Sequence, residues 1–299
     1  MSDFSKTFLR ERISDEDRPW EHFGIFGKHP GWDDHIEDLP MPTASMATAK
    51  QLLYVQGVGS QISSGAWARL ADDVRLADFN HAFLWVRGRS FLLGRMWASR
   101  DGKKRAHFPM IALVQGGNVA RDAILDSLLA QLEHVAAGCR AARSADEVRA
   151  VIAKAGNDAK APPANGAPIT LRATRDAVMQ IARDFRQNPS PGTRLPADPN
   201  DLPRSLRFWS RVCTALAPSD VPLLFLAPLR EPWLDLLIGE PAPDKFFCLR
   251  ACPPALPIAH NAMTNEAAEE LDADEIAKSV AAGRPPAGER SWISRLLGH

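Results

Sequence analysis

What this sequence lacks narrows it first. It has no excess charge: 36 Lys and Arg stand against 36 Asp and Glu, for a formal net charge of zero over 299 residues. Nothing global therefore draws the chain to nucleic acid or to an anionic membrane, and solubility near neutral pH is expected to be modest. Long apolar runs are missing too. The longest strongly apolar stretch, residues 221–229, is broken by Pro222 and Pro228, well short of the roughly 18 residues of a membrane helix. The opening residues, Met1-Ser2-Asp3-Phe4-Ser5-Lys6, carry no apolar core of a secretory signal. Cysteine is scarce. Cys139, Cys213, Cys248 and Cys252 show no C-x-x-C spacing, so neither a disulfide framework nor a zinc site is indicated. Cys248 and Cys252 read as lying on one strand, about 13 Å apart and too far to bridge. These absences lead us to expect a cytoplasmic protein with reduced thiols.

Proline divides what remains. Only Pro19, Pro30, Pro40, Pro42 and Pro109 precede residue 150; the other 19 of 24 follow it. The pattern predicts a loose polar lead-in over 1–20, a regular α/β core over 21–140, and a helix-rich, Pro-rich half over 141–299. Residues 23–26 read as a strand. Thr43 can cap a helix running to about Ser64, although Gly57 and Gly59 weaken its interior. Residues 82–86, 90–97 and 107–114 are short apolar runs joined by turn chemistry, which predicts an antiparallel meander. Because these runs do not alternate, both faces should be covered, most simply by helices. Ile124, Leu125, Leu128, Leu129, Leu132 and Val135 form a stripe at helical spacing, and Ser144-Ala145-Asp146-Glu147 is a capping-box start. Further helices are predicted near 171–187, 203–217, 230–238 and 264–282, strands at 222–226 and 245–250, and loops at 160–168, 188–203 and 283–289, with a short helix at 291–297. Two strands are too few for an independent sheet, so they should extend the first. The fold class expected is α/β (α+β), a central, largely antiparallel sheet flanked by helices on both faces.

The densest polar cluster is Lys28-His29-Pro30-Gly31-Trp32-Asp33-Asp34-His35, with two imidazoles and two carboxylates directly after a strand. Such a set can bind metal or exchange protons; it can equally be a tight hydrogen-bonded turn, which Pro30-Gly31 favours. Its H-x5-H spacing matches no zincin or finger pattern. A metal site on His29, Asp33, Asp34 and His35 therefore stands as the weaker alternative. A phosphate loop is rejected, because His22 and His29 occupy positions that require Gly and Ser or Thr. No serine sits in a Gly-x-Ser-x-Gly elbow, and His81 and His107 read as packing or turn-bonding imidazoles. In the charged loop of residues 99–105, Asp101 is expected to fix the turn while Arg105 pairs with Asp33 or Asp34. Trp32, in a polar turn, is the best candidate for an exposed anchor. No complete catalytic constellation emerges, so the chain reads as non-enzymatic and without a cofactor.

Two segments together resemble a known family. Gly24-Ile25-Phe26-Gly27-Lys28-His29-Pro30 resembles the aromatic-Gly-Lys-x-Pro opening of the TagF family of type VI secretion accessory proteins. Further along, Gly94 through Ser99-Arg100-Asp101 to Arg105 and Phe108-Pro109-Met110 resembles its second motif, a Ser-x-Asp turn before an Arg and a Phe-Pro strand start. The resemblance covers residues 22–135, less than half of the chain. Gly31-Trp32-Asp33-Asp34-His35 replaces the usual Arg-Gly-Asp-Phe, Lys104 stands where a Gly is common, and one extra residue separates Arg105 from Phe108, as in a divergent branch. The resemblance implies a bacterial, cytoplasmic, non-enzymatic repressor of type VI secretion. In that family the role is post-translational, through binding the system's forkhead-associated-domain scaffold protein and opposing a threonine-phosphorylation switch. The contact surface on this reading comprises Lys28, His29, Trp32, Asp33, Asp34, His35, Ser99, Asp101 and Arg105. The alternatives are a metal-dependent hydrolase on the His/Asp cluster, or a structural component of the secretion assembly.

Overall fold

Strands that are apolar on both sides need cover on both faces, and this chain supplies it from two directions. The computed structural model describes residues 22–37, 39, 41–88, 90–117, 121–158, 169–185, 192–252, 260–261 and 268–282. Strands β1 (His22–Gly27), β2 (Asn80–Arg87), β3 (Ser90–Trp97) and β4 (Met110–Gly117) pair antiparallel in the spatial order β1-β4-β3-β2. The sheet continues past β2 through β7 (Leu223–Pro228), β8 (Trp233–Ile238) and β6 (Gly192–Pro196), all antiparallel. A short strand β9 (His260–Asn261) lies parallel on β6. A separate pair joins β10 (Glu269–Asp272) to β5 (Thr170–Ala173).

Neighbouring side chains point to opposite faces of a strand, so each run feeds two cores. On one face Leu84, Val86, Leu93 and Val114 meet Ile124, Leu128 and Leu132 of helix α2 (Arg121–Ala141) and Phe208 and Val212 of helix α5 (Leu202–Leu216). On the other, Phe83, Trp85, Leu92 and Ile111 meet Met46, Leu53 and Val58 of helix α1 (residues 44–63) and Phe246 and Leu249 of a 3-10 helix, Pro243–Arg250. Thr43 caps α1 by accepting from Met46 N at 3.1 Å, and its middle, Lys50–Val58, is wound as a π-helix. Each such buried side chain contributes roughly 1.5–3 kcal/mol. The architecture is a mixed α/β sandwich whose central, largely antiparallel sheet is flanked by helices on both faces. Among the described residues no helix is long and apolar enough to cross a membrane.

One glycine fixes the register of the central pair. Gly94 lies opposite Phe83, and a Cβ on it would sit 2.1 Å from the Phe83 ring. The ring fills the place a side chain would take.

Several expectations for the second half are corrected. Residues 230–238 form no helix; Trp233–Ile238 is strand β8, held between β7 and β6, because pairing overrides the helix preference of its leucines. Residues 245–250 form no strand and lie in the 3-10 helix, which is anchored by Gln61 Nε2 donating to Pro243 O and Trp67 Nε1 donating to Phe247 O. Cys248 therefore lies in a helical turn. The predicted helix at 171–187 is strand β5 followed by α4 (Arg175–Asp184), because Thr174 accepts from Ala177 N and starts the helix there. The helix predicted near 264–282 likewise gives way to strand β10 at Glu269–Asp272 and α6 (Ala273–Ala282), where Asp272 accepts from Asp274 N and Glu275 N. Within the expected loop at 188–203, residues Gly192–Pro196 form β6. The capping box at Ser144 opens α3 (Ala145–Asp158), with Ser144 Oγ accepting from Glu147 N. The expected lead-in at 1–20, the loops at 160–168 and 283–289 and the helix at 291–297 lie outside the described residues.

Candidate functional site

The topology brings the two motif-bearing bends to one end of the sheet. β1 ends at Gly27, which pairs with Met110 at the start of β4; Trp97 at the end of β3 pairs with the same Met110. The bend after β1 and the bend between β3 and β4 must therefore leave side by side. Gly27 makes the junction possible. Its φ is 117°, and a Cβ there would lie 2.3 Å from Pro109 O, a conformation and a closeness that only glycine accepts readily. The first bend then closes on itself through a bridge between Lys28 and His35, with Ile36 N donating to Gly27 O at 2.8 Å.

Asp101 joins the two bends. Its Oδ2 accepts from Lys28 Nζ at 2.6 Å and from Arg105 Nε at 2.7 Å, and its Oδ1 accepts from Arg105 N at 2.9 Å. Gly102 N donates to Trp32 O at 2.7 Å, and Arg105 Nη2 reaches both Asp33 O at 2.8 Å and Asp34 Oδ1 at 3.1 Å. Lys28 Nζ lies 3.5 Å from Asp34 Oδ1. Burial alone would raise the Asp101 carboxyl, but the bonds from Lys28 and from the Arg105 backbone and side chain outweigh it and hold the group well below the usual carboxylate range. Asp34 follows the same pattern: desolvation would raise it, and Arg105, His35 and Lys28 bring it down.

The two histidines part company. His29 is buried and turns inward: Gly31 N donates to its Nδ1 at 3.0 Å, so Nε2 carries the proton and donates to Cys139 O at 2.9 Å. Burial lowers its pKa against the pull of the Cys139 and Ala142 carbonyls. His35 sits on the other side, its Nδ1 2.8 Å from the Tyr54 hydroxyl and its Nε2 3.6 Å from Asp34 Oδ1. Burial lowers its pKa, helped by the Lys28 charge. With Nε2–H turned toward the Asp34 carboxylate, Nδ1 of the neutral ring accepts a hydrogen bond from the Tyr54 hydroxyl. Both ring nitrogens of His29 are engaged, and among the described residues no group of three or more His, Cys, Asp or Glu side chains is placed to hold a metal ion.

Of the nine residues singled out in the sequence, the structure joins Lys28, Asp33, Asp34, His35, Asp101 and Arg105 in one network. Three members of the expected surface are shut inside: Lys28, His29 and Asp101 are only 4%, 2% and 1% exposed; Lys28 and Asp101 hold the bends together, and His29 ties the first bend to the end of α2. Trp32 is half-buried, its ring edge-on to His29 and beneath the Arg149 guanidinium at 5.8 Å; it is wedged into the fold, not free as an anchor. Ser99 is half-buried and takes no part in the network. What faces solvent is Asp33, Asp34 and Arg105, joined by Arg100, Lys103 and Lys104. The sequence places these last three in the contact loop of residues 99–105 without singling them out, because a charged loop tip is ordinarily just solvated. Sequence reasoning missed Tyr54, which arrives from the π-helical middle of α1 and packs edge-on to Phe26 and His35 and tilted against Phe108. Burial raises the Tyr54 phenol far above its ordinary value, which disfavours ionisation and so a nucleophilic role. The assembly offers fixed charges of both signs beside a Tyr54–His35 hydroxyl–imidazole pair whose phenol burial keeps protonated.

Comparison with known proteins adds little to this geometry. No family model matches the chain, and no curated protein matches it. Among solved structures, the chain is similar to PA0076 from Pseudomonas aeruginosa, with a TM-score of 0.43 and 17% identity over 77% of this chain and 94% of that one.

Proposed function

We propose that this chain is a TagF-like accessory protein of type VI secretion, a post-translational repressor that acts in the cytoplasm by binding a protein partner. The partner on this reading is the system's forkhead-associated-domain scaffold. One observation carries the reading: the residues of the two resembling segments, Lys28 in the first and Asp101 and Arg105 in the second, are the ones that bond the two bends into a single face. The face presents fixed charges on a pinned backbone, which suits complementarity to another protein.

Pull-down of the scaffold protein from the same genome tests the binding, with an Asp33→Ala/Arg105→Ala variant as the comparison. Recovery by the parent chain and loss with the variant are expected; equal recovery removes this face from the proposal. Deleting the gene tests the sign of the effect. Constitutive secretion fits a repressor, whereas loss of secretion fits a structural component of the assembly.

A further inference from the structure

Ion pairing divides the charges of the two bends unequally. Asp101 is consumed by Lys28 and Arg105, and Asp34 lies against the same two cations. Arg100, Lys103 and Lys104 are exposed, and none of them makes an ion pair among the described residues. Beside them stands an exposed carboxylate that no ion pair engages among the described residues, Asp33. Asp33 Oδ1 lies 2.9 Å from the point a Cβ on Gly102 would occupy, so it rests directly against the cationic loop. The loop is also stiff for its exposure. Lys104 N donates to Asp101 O at 2.9 Å, Asp101 N donates to Arg105 O at 3.2 Å, and Lys104 itself is held at a φ of 65°. A left-handed lysine persists only where its surroundings impose it, and such positions gather at ligand clamps.

We infer that this patch docks an acidic segment of a protein, whose carboxylates meet Arg100, Lys103 and Lys104 while a basic or amide donor meets Asp33. The inference rests on the protein-binding reading above but not on the partner's identity. The mixed sign selects the occupant. A nucleic acid or an anionic bilayer presents a field of one sign, and Asp33 and Asp34 would repel it, whereas a peptide can carry both signs in register. Pinning the loop in advance lowers the ordering cost of binding.

The test uses two probes on the full chain: the scaffold protein, and a labelled Glu/Asp-rich peptide carrying one Lys, with a Gln/Asn peptide as control. Fluorescence anisotropy should show the acidic peptide binding, more weakly as salt approaches about 0.15 M, where the Debye length is about 8 Å. Arg100→Glu/Lys103→Glu/Lys104→Glu, checked for an unchanged Tm, should weaken both probes by on the order of tenfold or more. Asp33→Asn should tighten a uniformly acidic peptide. If the parent chain binds the scaffold and the triple variant binds it equally, the inference is overturned and the proposed function survives. If the scaffold never binds but the acidic peptide does, and the triple variant loses it, the named partner falls and the patch chemistry stands. Failure of the acidic peptide to bind the parent chain, or duplex DNA or phosphatidylserine vesicles binding in its place, overturns the inference.

Discussion

Lys28 Nζ donates to Asp101 Oδ2 at 2.6 Å across 73 residues of chain, and the side chains are 5% and 0% exposed. A buried ammonium that loses its partner is left uncompensated, which costs more than the pair contributes when intact. Asp101→Asn is therefore expected to lower the Tm by several degrees in a thermal shift measurement, while the exposed Asp33→Asn leaves it unchanged. The carboxyl is held below its ordinary range, so its contribution is complete above about pH 4. It is lost only as the pH falls through the depressed value. A Tm difference between Asp101→Asn and the parent chain that had already vanished at pH 5 would contradict this.

His81 adds a second marker on the acid side of the pH curve, at higher pH than Asp101. It is buried beside Arg95, Arg250 and Arg194; burial first, then those charges, push its pKa down to about 3. The unfolded chain takes up that proton near pH 6.5 and the folded one does not, so stability falls with acidity from about pH 6.5 by about 1.4 kcal/mol per pH unit for such an imidazole. Its Nδ1 accepts from Asn80 N at 3.1 Å, and an asparagine oxygen can replace that acceptor. Urea unfolding at several pH values should show a shallower slope between pH 6 and pH 4 for His81→Asn than for the parent chain.

Gly94→Ala would drive a methyl into the Phe83 ring, with its Cβ 2.1 Å from the nearest ring carbon. Overpacking of this kind costs about 1–3 kcal/mol. The loss should appear as a lower urea midpoint at unchanged m-value. Phe83→Leu in the same chain should restore part of it, and a pair of purely additive effects would show that the ring is not the obstacle.

Lys104 offers a stabilising change. At a φ of 65° an L-residue carries a cost of about 1–2 kcal/mol, which glycine escapes while losing roughly 0.5–1 kcal/mol in chain entropy. Lys104→Gly is expected to gain about 0.5–1 kcal/mol, read as a raised urea midpoint. A fall would mean that the lysine side chain supplies contacts that outweigh the strain.

The first half of the fold was legible because its signals were local. The runs around Phe83, Leu93 and Ala112 are each apolar on both faces, and the stripe from Ile124 to Val135 could only be a helix laid on them. The second half misled for equally physical reasons. Trp233-Leu234-Asp235-Leu236-Leu237-Ile238 has leucines that suit a helix, and its extended form comes from distant partners: the ladders to β7 and β6, with the buried bidentate pair of Asp235 and Arg194 at 2.7 and 2.8 Å. Arg194 lies in a segment whose prolines had marked it as loop. In the candidate site, Arg105 reaching Asp34 was readable from charge and turn chemistry. Burial was not: His29 looked like part of an open cluster, yet it closes onto Cys139 O, a residue 110 positions away. Tyr54 left no signal, because a π-wound turn shifts the side-chain phase that helical spacing assumes.

The place of β7 beside β2 reaches beyond the sheet itself. His81 to Val86 bond on one side to β3 and on the other to a strand that arrives from more than a hundred residues later. The motif-bearing part is therefore no portable module. Ended at residue 141, it would leave a central strand stripped along one whole margin, a row of open amides and carbonyls on a flat apolar ribbon, and such a fragment should come out of cells as aggregate.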